Sequence, residues 1–147
     1  MKFNIRLVSA LVLAVMMCIG LSACAKKKEG KVEISDQQFT IRKDGDFNWT
    51  IDATGKIRNT GEVDLKNVVV TAYCRSCGEV LTSGTWYISD VPKTSEQQDT
   101  INFLAVGAEE TFSFREVAFY FNQSRVAPEA LPEKIEVVVE SFETAEK

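Results

Sequence analysis

Residues 65–74 read Leu-Lys-Asn-Val-Val-Val-Thr-Ala-Tyr-Cys, and this stretch decides the fold. Its three consecutive valines form a β-branched run, which favours an extended backbone and is typical of a strand inside a sheet. The residues just before it, 59–62, read Asn-Thr-Gly-Glu, which is the composition of a turn. The stretch therefore predicts a central strand that follows a turn.

Short segments of alternating apolar residues surround this central strand. We expect further strands within residues 39–41, 46–59, 80–88, 101–105, 112–121 and 135–139. Gly55, inside the second of these, is expected at a bulge or at a point of close packing. About seven short strands separated by turns predict an immunoglobulin-like antiparallel β-sandwich over residues 36–147. The fold class is therefore expected to be all-β.

The alternation also predicts which side chains lie between the two sheets. The expected core residues are Trp49, Val68, Val70, Phe112, Phe114, Val137 and Val139. After Phe114 the apolar positions change phase, since Val117, Phe119 and Phe121 are odd-numbered. A phase change of this kind indicates a bulge, or a strand that crosses to the other sheet.

The composition of the chain excludes several classes of function. The chain has 147 residues, 45% of them hydrophobic and 26% charged, which suits one globular domain. Its formal charge of -4 does not favour nucleic acid as a partner. The chain has no histidine, which excludes Ser-His-Asp and Cys-His catalysis and histidine-ligated metals. We expect no catalytic residues, no metal site and no cofactor.

The N-terminus has the pattern of an export signal. Lys2 and Arg6 precede an apolar run, residues 7–21, which is shorter than the roughly 20 residues of a membrane-spanning helix. Residues 21–24, Leu-Ser-Ala-Cys, then resemble the lipobox of bacterial lipoproteins. The alternative is an ordinary cleaved signal with a chance cysteine at Cys24.

The lipobox resemblance implies a signal peptide over residues 1–23 and a lipidated Cys24, with a diacylglyceryl thioether and acyl chains such as palmitate in the bilayer. Residues 24–35 are expected to form the lipidated cysteine and a flexible tether. Ala25, rather than aspartate, favours the outer membrane, on its periplasmic side or surface, if the host is Gram-negative. The predicted location is thus the cell envelope.

Charge is divided unevenly between tether and body. Lys26, Lys27 and Lys28 lie close to the expected lipidated cysteine, whereas residues 29–147 hold 12 basic against 21 acidic residues, a charge of -9. The lysines either supplement the acyl chains at an anionic bilayer or form a solvated spacer. The body is expected to be repelled by such a bilayer.

The middle of the chain has a further resemblance. The turn at residues 59–61 is followed by a strand of the form Leu-x-x-Val-x-Val from Leu65, and Gly107 and Phe112 fit a later turn and strand. This order resembles bacterial FxLYD-type domains, which are immunoglobulin-like sandwiches of small secreted lipoproteins. The similarity covers roughly residues 46–115.

Residues 70–74 occupy the place of that family's Phe-x-Leu-Tyr-Asp. Tyr73 matches, Val70 and Ala72 are smaller apolar residues, and Cys74 replaces the aspartate. The family has no assigned enzymatic activity, so the resemblance implies a fold and a location and leaves the function open.

The pair Cys74 and Cys77 could carry chemistry. In an oxidising compartment a disulfide across the Arg75-Ser76 turn is geometrically reasonable, because a tight turn brings residues three apart within disulfide range. Thiol exchange would need a helix start at the first cysteine, and zinc would need a second pair from another copy. Haem attachment is excluded because residue 78 is Gly.

Two functions follow from these patterns. The first is a non-catalytic envelope module that binds a protein partner or an envelope component through loops or an edge strand. The alternative is a thiol redox or metal-binding module built on Cys74 and Cys77. The aromatic residues Trp86, Tyr87 and Tyr120 could form an exposed binding patch, but packing within the sheets is the more ordinary expectation.

Overall fold

The computed structural model describes residues 28–89 and 91–145. Within them the chain forms eight strands and no helix. The strands are β1 (Val32–Lys43), β2 (Asn48–Asn59), β3 (Leu65–Cys74), β4 (Thr85–Tyr87), β5 (Gln98–Leu104), β6 (Glu109–Phe114), β7 (Phe119–Phe121) and β8 (Ile135–Thr144). The expected all-β class is confirmed.

The strands form two antiparallel sheets. The first sheet has the order β1-β2-β7-β4, with β6 also paired to β2, and the second has the order β5-β3-β8. The sandwich is the predicted one, with one strand more than expected.

The central strand is where the valine run predicts it. β3 pairs with β5 on one side and with β8 on the other. Its alternate residues Val68, Val70 and Ala72 are fully buried against the facing sheet. A strand with partners on both edges and a buried face suits β-branched residues, because the pleated surface accommodates their stiff side chains.

The predicted core is largely confirmed. Of the seven expected residues, all are buried except Val139, which is partly buried and packs against the core. Phe112 and Phe114 stack at 5.7 Å between ring centroids. Gly55 is needed opposite this pair, because a Cβ there would lie 2.5 Å from Phe112.

The first strand starts earlier than expected. β1 begins at Val32, inside the range 24–35 that the sequence assigns to a tether. Its first residues pair with the end of β2, and Lys31 accepts backbone hydrogen bonds from Thr60 (2.9 Å) and Gly61 (3.1 Å). A Cβ at Gly61 would collide with the backbone of Lys31, so the glycine permits this close approach. Residues 24–27 lie outside the described part of the chain.

A bulge follows Phe114, and the chain does not cross to the other sheet there. β6 and β7 both pair with β2, and Val117 and Ala118 both hydrogen-bond to the backbone of Ile51. Residues 115–118 therefore lie opposite only two residues of β2, Ile51 and Asp52. Because the difference is two residues, even-numbered side chains such as Tyr120 still point into the sandwich after the bulge, as Phe112 and Phe114 do before it. Phe119 and Phe121 consequently lie on the other face of the sheet, which the sequence does not reveal.

The predicted strand over residues 80–88 is also wrong in extent. Only Thr85–Tyr87 is a strand, because Gly78 bridges to Tyr87 and the chain turns at Gly84, where φ is +83°. Residues 78–84 thus form a loop, and its Val80 and Leu81 are exposed rather than half-buried.

One buried polar side chain organises the end of the sandwich where the chain begins. Asn59 is fully buried, and its amide nitrogen donates to the carbonyl oxygens of Val63 (2.8 Å) and Leu104 (3.0 Å). Its side-chain oxygen accepts from the backbone of Gly61 at 3.0 Å. We call this end, formed by residues 29–31, 59–64 and 105–108, the proximal end; the opposite end, with residues 74–78, is the disulfide end.

Truncating a core aromatic should damage the fold far more than removing the cysteine pair. Phe114→Ala should lower the free energy of unfolding by about 3–5 kcal/mol, since it leaves a cavity between the sheets. Cys74→Ala combined with Cys77→Ala should cost much less, because the disulfide closes only a very short loop. Thermal melts of both variants test this order. The reverse order would contradict both the core assignment and the local role of the disulfide.

Asn59→Ala should destabilise the domain by about 3 kcal/mol, because it leaves buried carbonyl groups without a donor. Asn122→Ala is the matched control. Its side-chain oxygen also accepts from the backbone two residues on, at Ser124 (2.9 Å), but at an exposed site. Chemical denaturation should show a loss below about 1 kcal/mol for the control. Equal losses would contradict the special role of Asn59.

Candidate functional site

The disulfide predicted from the sequence is present. Cys74 is the last residue of β3, and it is bonded to Cys77 with a Cα–Cα distance of 5.5 Å. Cys74 is buried, at 5% exposure, while Cys77 is partly exposed. Because both sulfurs are engaged in the bond, neither is a thiolate that could hold zinc or attack a disulfide in this oxidation state.

The disulfide turn is attached to both sheets. Arg75 donates a backbone hydrogen bond to Lys134 (2.7 Å), and the Ser76 hydroxyl accepts one from the Lys134 backbone (3.0 Å). On the other side, Gly78 donates to the carbonyl oxygen of Trp86 at 3.0 Å. The turn therefore connects the start of β8 in one sheet to β4 in the other, which fixes the geometry of this end of the sandwich.

Beside the turn lies an open cleft of about 700 Å³, which we call the disulfide-end cleft. It is lined by Ser76, Gly78, Glu79, Val80, Thr82, Thr85, Trp86, Leu131, Pro132 and Glu133. The indole nitrogen of Trp86 donates to the carbonyl oxygen of Ala130 at 3.0 Å, which holds the ring in place. The lining combines apolar side chains, hydroxyl groups and two carboxylates.

A second cavity, of about 410 Å³, lies beside Tyr73. The ammonium group of Lys93 lies 4.3 Å from the centre of the Tyr73 ring, and the guanidinium group of Arg75 lies 4.7 Å from it. Lys93 also donates to the carbonyl oxygen of Ala72 at 2.6 Å. These cation–π contacts and hydrogen bonds stabilise the surface next to the disulfide.

The pKa values of Tyr73 and Lys93 are both shifted, for different reasons. The Tyr73 hydroxyl donates to Glu140 at 2.8 Å, and this hydrogen bond raises the pKa of Tyr73. Burial lowers the pKa of Lys93, and the nearby charge of Glu140 partly offsets that effect. Sequence reasoning identified Tyr73 only through the FxLYD resemblance, and it missed Lys93, which is 20 residues further along the chain and has no local motif.

The aromatic residues Trp86, Tyr87 and Tyr120 pack within the sheet and do not form one exposed patch. Trp86 contacts Tyr120 at 5.3 Å between centroids, and Tyr120 contacts Trp49 at 6.0 Å. Tyr87 lies on the other face, 5.8 Å from Phe119, and burial raises its pKa. Only Trp86 contributes to the disulfide-end cleft.

The proposed lipidation residue, Cys24, lies outside the described residues. Among residues 28–89 and 91–145, no helix is long and apolar enough to cross a membrane. Across the same ranges, no group of three or more cysteine, aspartate or glutamate side chains is arranged to hold a metal ion.

Comparison with known proteins adds no relative. No family model, no curated protein and no solved structure matches the chain.

The disulfide should behave as a structural bond. In a Cys18→Ser, Cys24→Ser variant purified under oxidising conditions, a thiol reagent should find no free thiol until reductant and denaturant are added together. Burial of Cys74 should make reduction of the folded protein slow, because exchange requires access to the sulfur. Rapid reversible cycling in a glutathione buffer, or stoichiometric zinc after mild reduction, would instead favour the redox or metal alternative.

Proposed function

We propose that this chain is a lipid-anchored protein of a bacterial cell envelope, with a sandwich domain that binds a partner and performs no catalysis. The observation that carries the proposal is the sequence Leu-Ser-Ala-Cys at residues 21–24, in register behind a charged start and an apolar run. The FxLYD resemblance supports the same location. The fold agrees with it, since sandwiches of this kind commonly present binding loops at their two ends.

The attachment of the chain's first described residues restricts how far the domain can stand from a membrane. The carbonyl oxygen of Glu29 accepts a hydrogen bond from Glu62 (3.0 Å), so the domain starts at Glu29 rather than at residue 36. Five residue steps separate Cys24 from Glu29, and an extended chain spans at most about 18 Å over that length. A lipid on Cys24 would therefore hold the proximal end close to the bilayer.

The same attachment orients the domain. β3 runs from Leu65 near the proximal end to Cys74 at the disulfide end, a length of about 30 Å for ten residues. The disulfide-end cleft would accordingly face away from the bilayer. Lys26, Lys27 and Lys28 would lie at the headgroups and contribute about 1 kcal/mol each on an anionic surface, while the acidic body is repelled from it.

A thiol redox module remains the second candidate function, and the disulfide at one end of the sandwich is the observation that favours it. Thiol attack would have to reach Cys77, the more exposed of the two cysteines. The cysteine pair stands at the end of a strand and not at a helix N-terminus, so it lacks the helix dipole that lowers the pKa of an attacking cysteine.

Cys24→Ser should release the protein from the membrane. The variant should move from the membrane fraction to the soluble periplasm or the medium, because the thioether that carries the lipid no longer forms. Cys18→Ser is the matched control, since Cys18 lies inside the expected signal peptide. Fractionation followed by detection of both variants is the measurement. A Cys24→Ser protein as firmly bound as the wild type would contradict the anchor.

A further inference from the structure

The disulfide-end cleft exposes more apolar surface than the fold requires. In the lining, Val80 is 73% exposed and Leu131 across the cleft is 38% exposed; Leu81, next to Val80 but outside the lining, is 55% exposed. None of these side chains is part of the core between the sheets. Large apolar side chains gathered at one concave site, with a polar surround, are a mark of a binding surface.

The charged side chains that line the cleft are all acidic. Its lining holds the carboxylates of Glu79 and Glu133 and no cationic side chain. Neither carboxylate belongs to an ion pair in the described part of the chain, whereas nearby Arg75 is paired with Glu136 at 2.8 Å. Lys134 lies next to the cleft and contributes its backbone to the Ser76 contact. An incoming cation would therefore meet carboxylates that are free to pair with it.

The walls of the cleft are fixed before any ligand arrives. The disulfide between Cys74 and Cys77 closes the turn that carries the lining residue Ser76. The backbone contacts of Gly78 attach the loop to β4, and the hydrogen bond of Trp86 fixes its ring. Such preorganisation reduces the conformational entropy lost on binding. The loop is thus a structured surface for recognition.

We propose that the disulfide-end cleft docks an extended segment of another envelope protein, which inserts an apolar side chain beside Val80 and Leu131 and places lysine or arginine at Glu79 and Glu133. The inference rests on the proposed function and names the surface and partner chemistry for it. Charge complementarity selects this occupant over an anionic bilayer, which would be repelled by the same two carboxylates. The cleft also faces away from the expected membrane anchor.

Site-specific photo-crosslinking in cells tests the surface. A photoreactive amino acid replaces Val80 in the full-length, membrane-anchored protein, and the control position is Phe103, which is 55% exposed at the other end of the sandwich. The expected result is a protein adduct from position 80 and none from position 103. Mass spectrometry of the adduct should place the crosslink in a segment with lysine or arginine next to an apolar residue.

Three results would overturn this inference: an adduct with lipid, an adduct with a second copy of this chain, or a crosslinked segment that is acidic. Adducts at position 103 but not at 80 would overturn the cleft as the docking site and would leave the proposed binding function standing. No adduct at either position, with the protein correctly in the membrane, would count against both.

A synthetic peptide of the crosslinked segment then separates the apolar from the charged contribution. Val80→Asp should weaken its binding about tenfold, while Phe103→Asp, at an exposed apolar position outside the cleft, should leave it unchanged. Glu79→Gln with Glu133→Gln should weaken binding and reduce its dependence on salt, since fewer charges are screened. Unchanged affinity in these cleft variants, with melts like those of the wild type, would overturn the inference.

Discussion

The buried amide of Asn59 holds together segments that come from widely separated parts of the chain. Its side chain joins the end of β2 to the loop before β3 and to the end of β5, and its backbone pairs with the turn at residues 107–108. Every polar atom of the residue therefore has a partner, which a buried amide must have to avoid a large desolvation cost. The geometry of the proximal end depends on this one residue.

The hydrogen bonds of Asn59 also affect how the domain is attached to the expected membrane anchor. The turn that Asn59 orders presents Thr60, Gly61 and Glu62 to the first residues of the domain, and the backbone there is held by Glu29 and Lys31. The chain consequently enters the sandwich at a fixed place and in a fixed direction. A lipid on Cys24 would then determine which end faces the bilayer, and the cleft would be presented to partners by geometry alone.

The disulfide end is constrained differently, by a covalent bond together with backbone contacts to both sheets. It exposes apolar side chains that a purely structural loop would not need, whereas the proximal end satisfies its polar groups internally. The two ends of the sandwich therefore differ: the proximal end fixes where the chain enters the domain, and the disulfide end exposes an apolar surface. Next to the disulfide, the cationic groups of Lys93 and Arg75 contact the ring of Tyr73, whose hydroxyl group donates a hydrogen bond to Glu140 on β8.

Sequence reasoning was reliable where the signal is local. The stretch around the valine run predicted both ends of β3, and the alternating residues predicted most of the core. The spacing of Cys74 and Cys77 predicted the disulfide. It was wrong over residues 80–88, because exposed apolar residues of a loop look like those of a strand. It also placed the start of the domain too late, since the pairing of Val32 with Asn59 involves residues 27 positions apart.

The sequence by itself determined the all-β class, the central strand and the turn before it, and it predicts export and lipidation of the chain. Each of these depends on neighbouring residues, through alternation, turn chemistry or a short motif. Only the tertiary structure decided that Asn59 is buried, that Phe119 and Phe121 face outward, and that Val80, Trp86 and Leu131 meet around one cleft. Those outcomes depend on contacts between residues far apart in the chain, and such contacts are set by how the two sheets pack rather than by any local pattern.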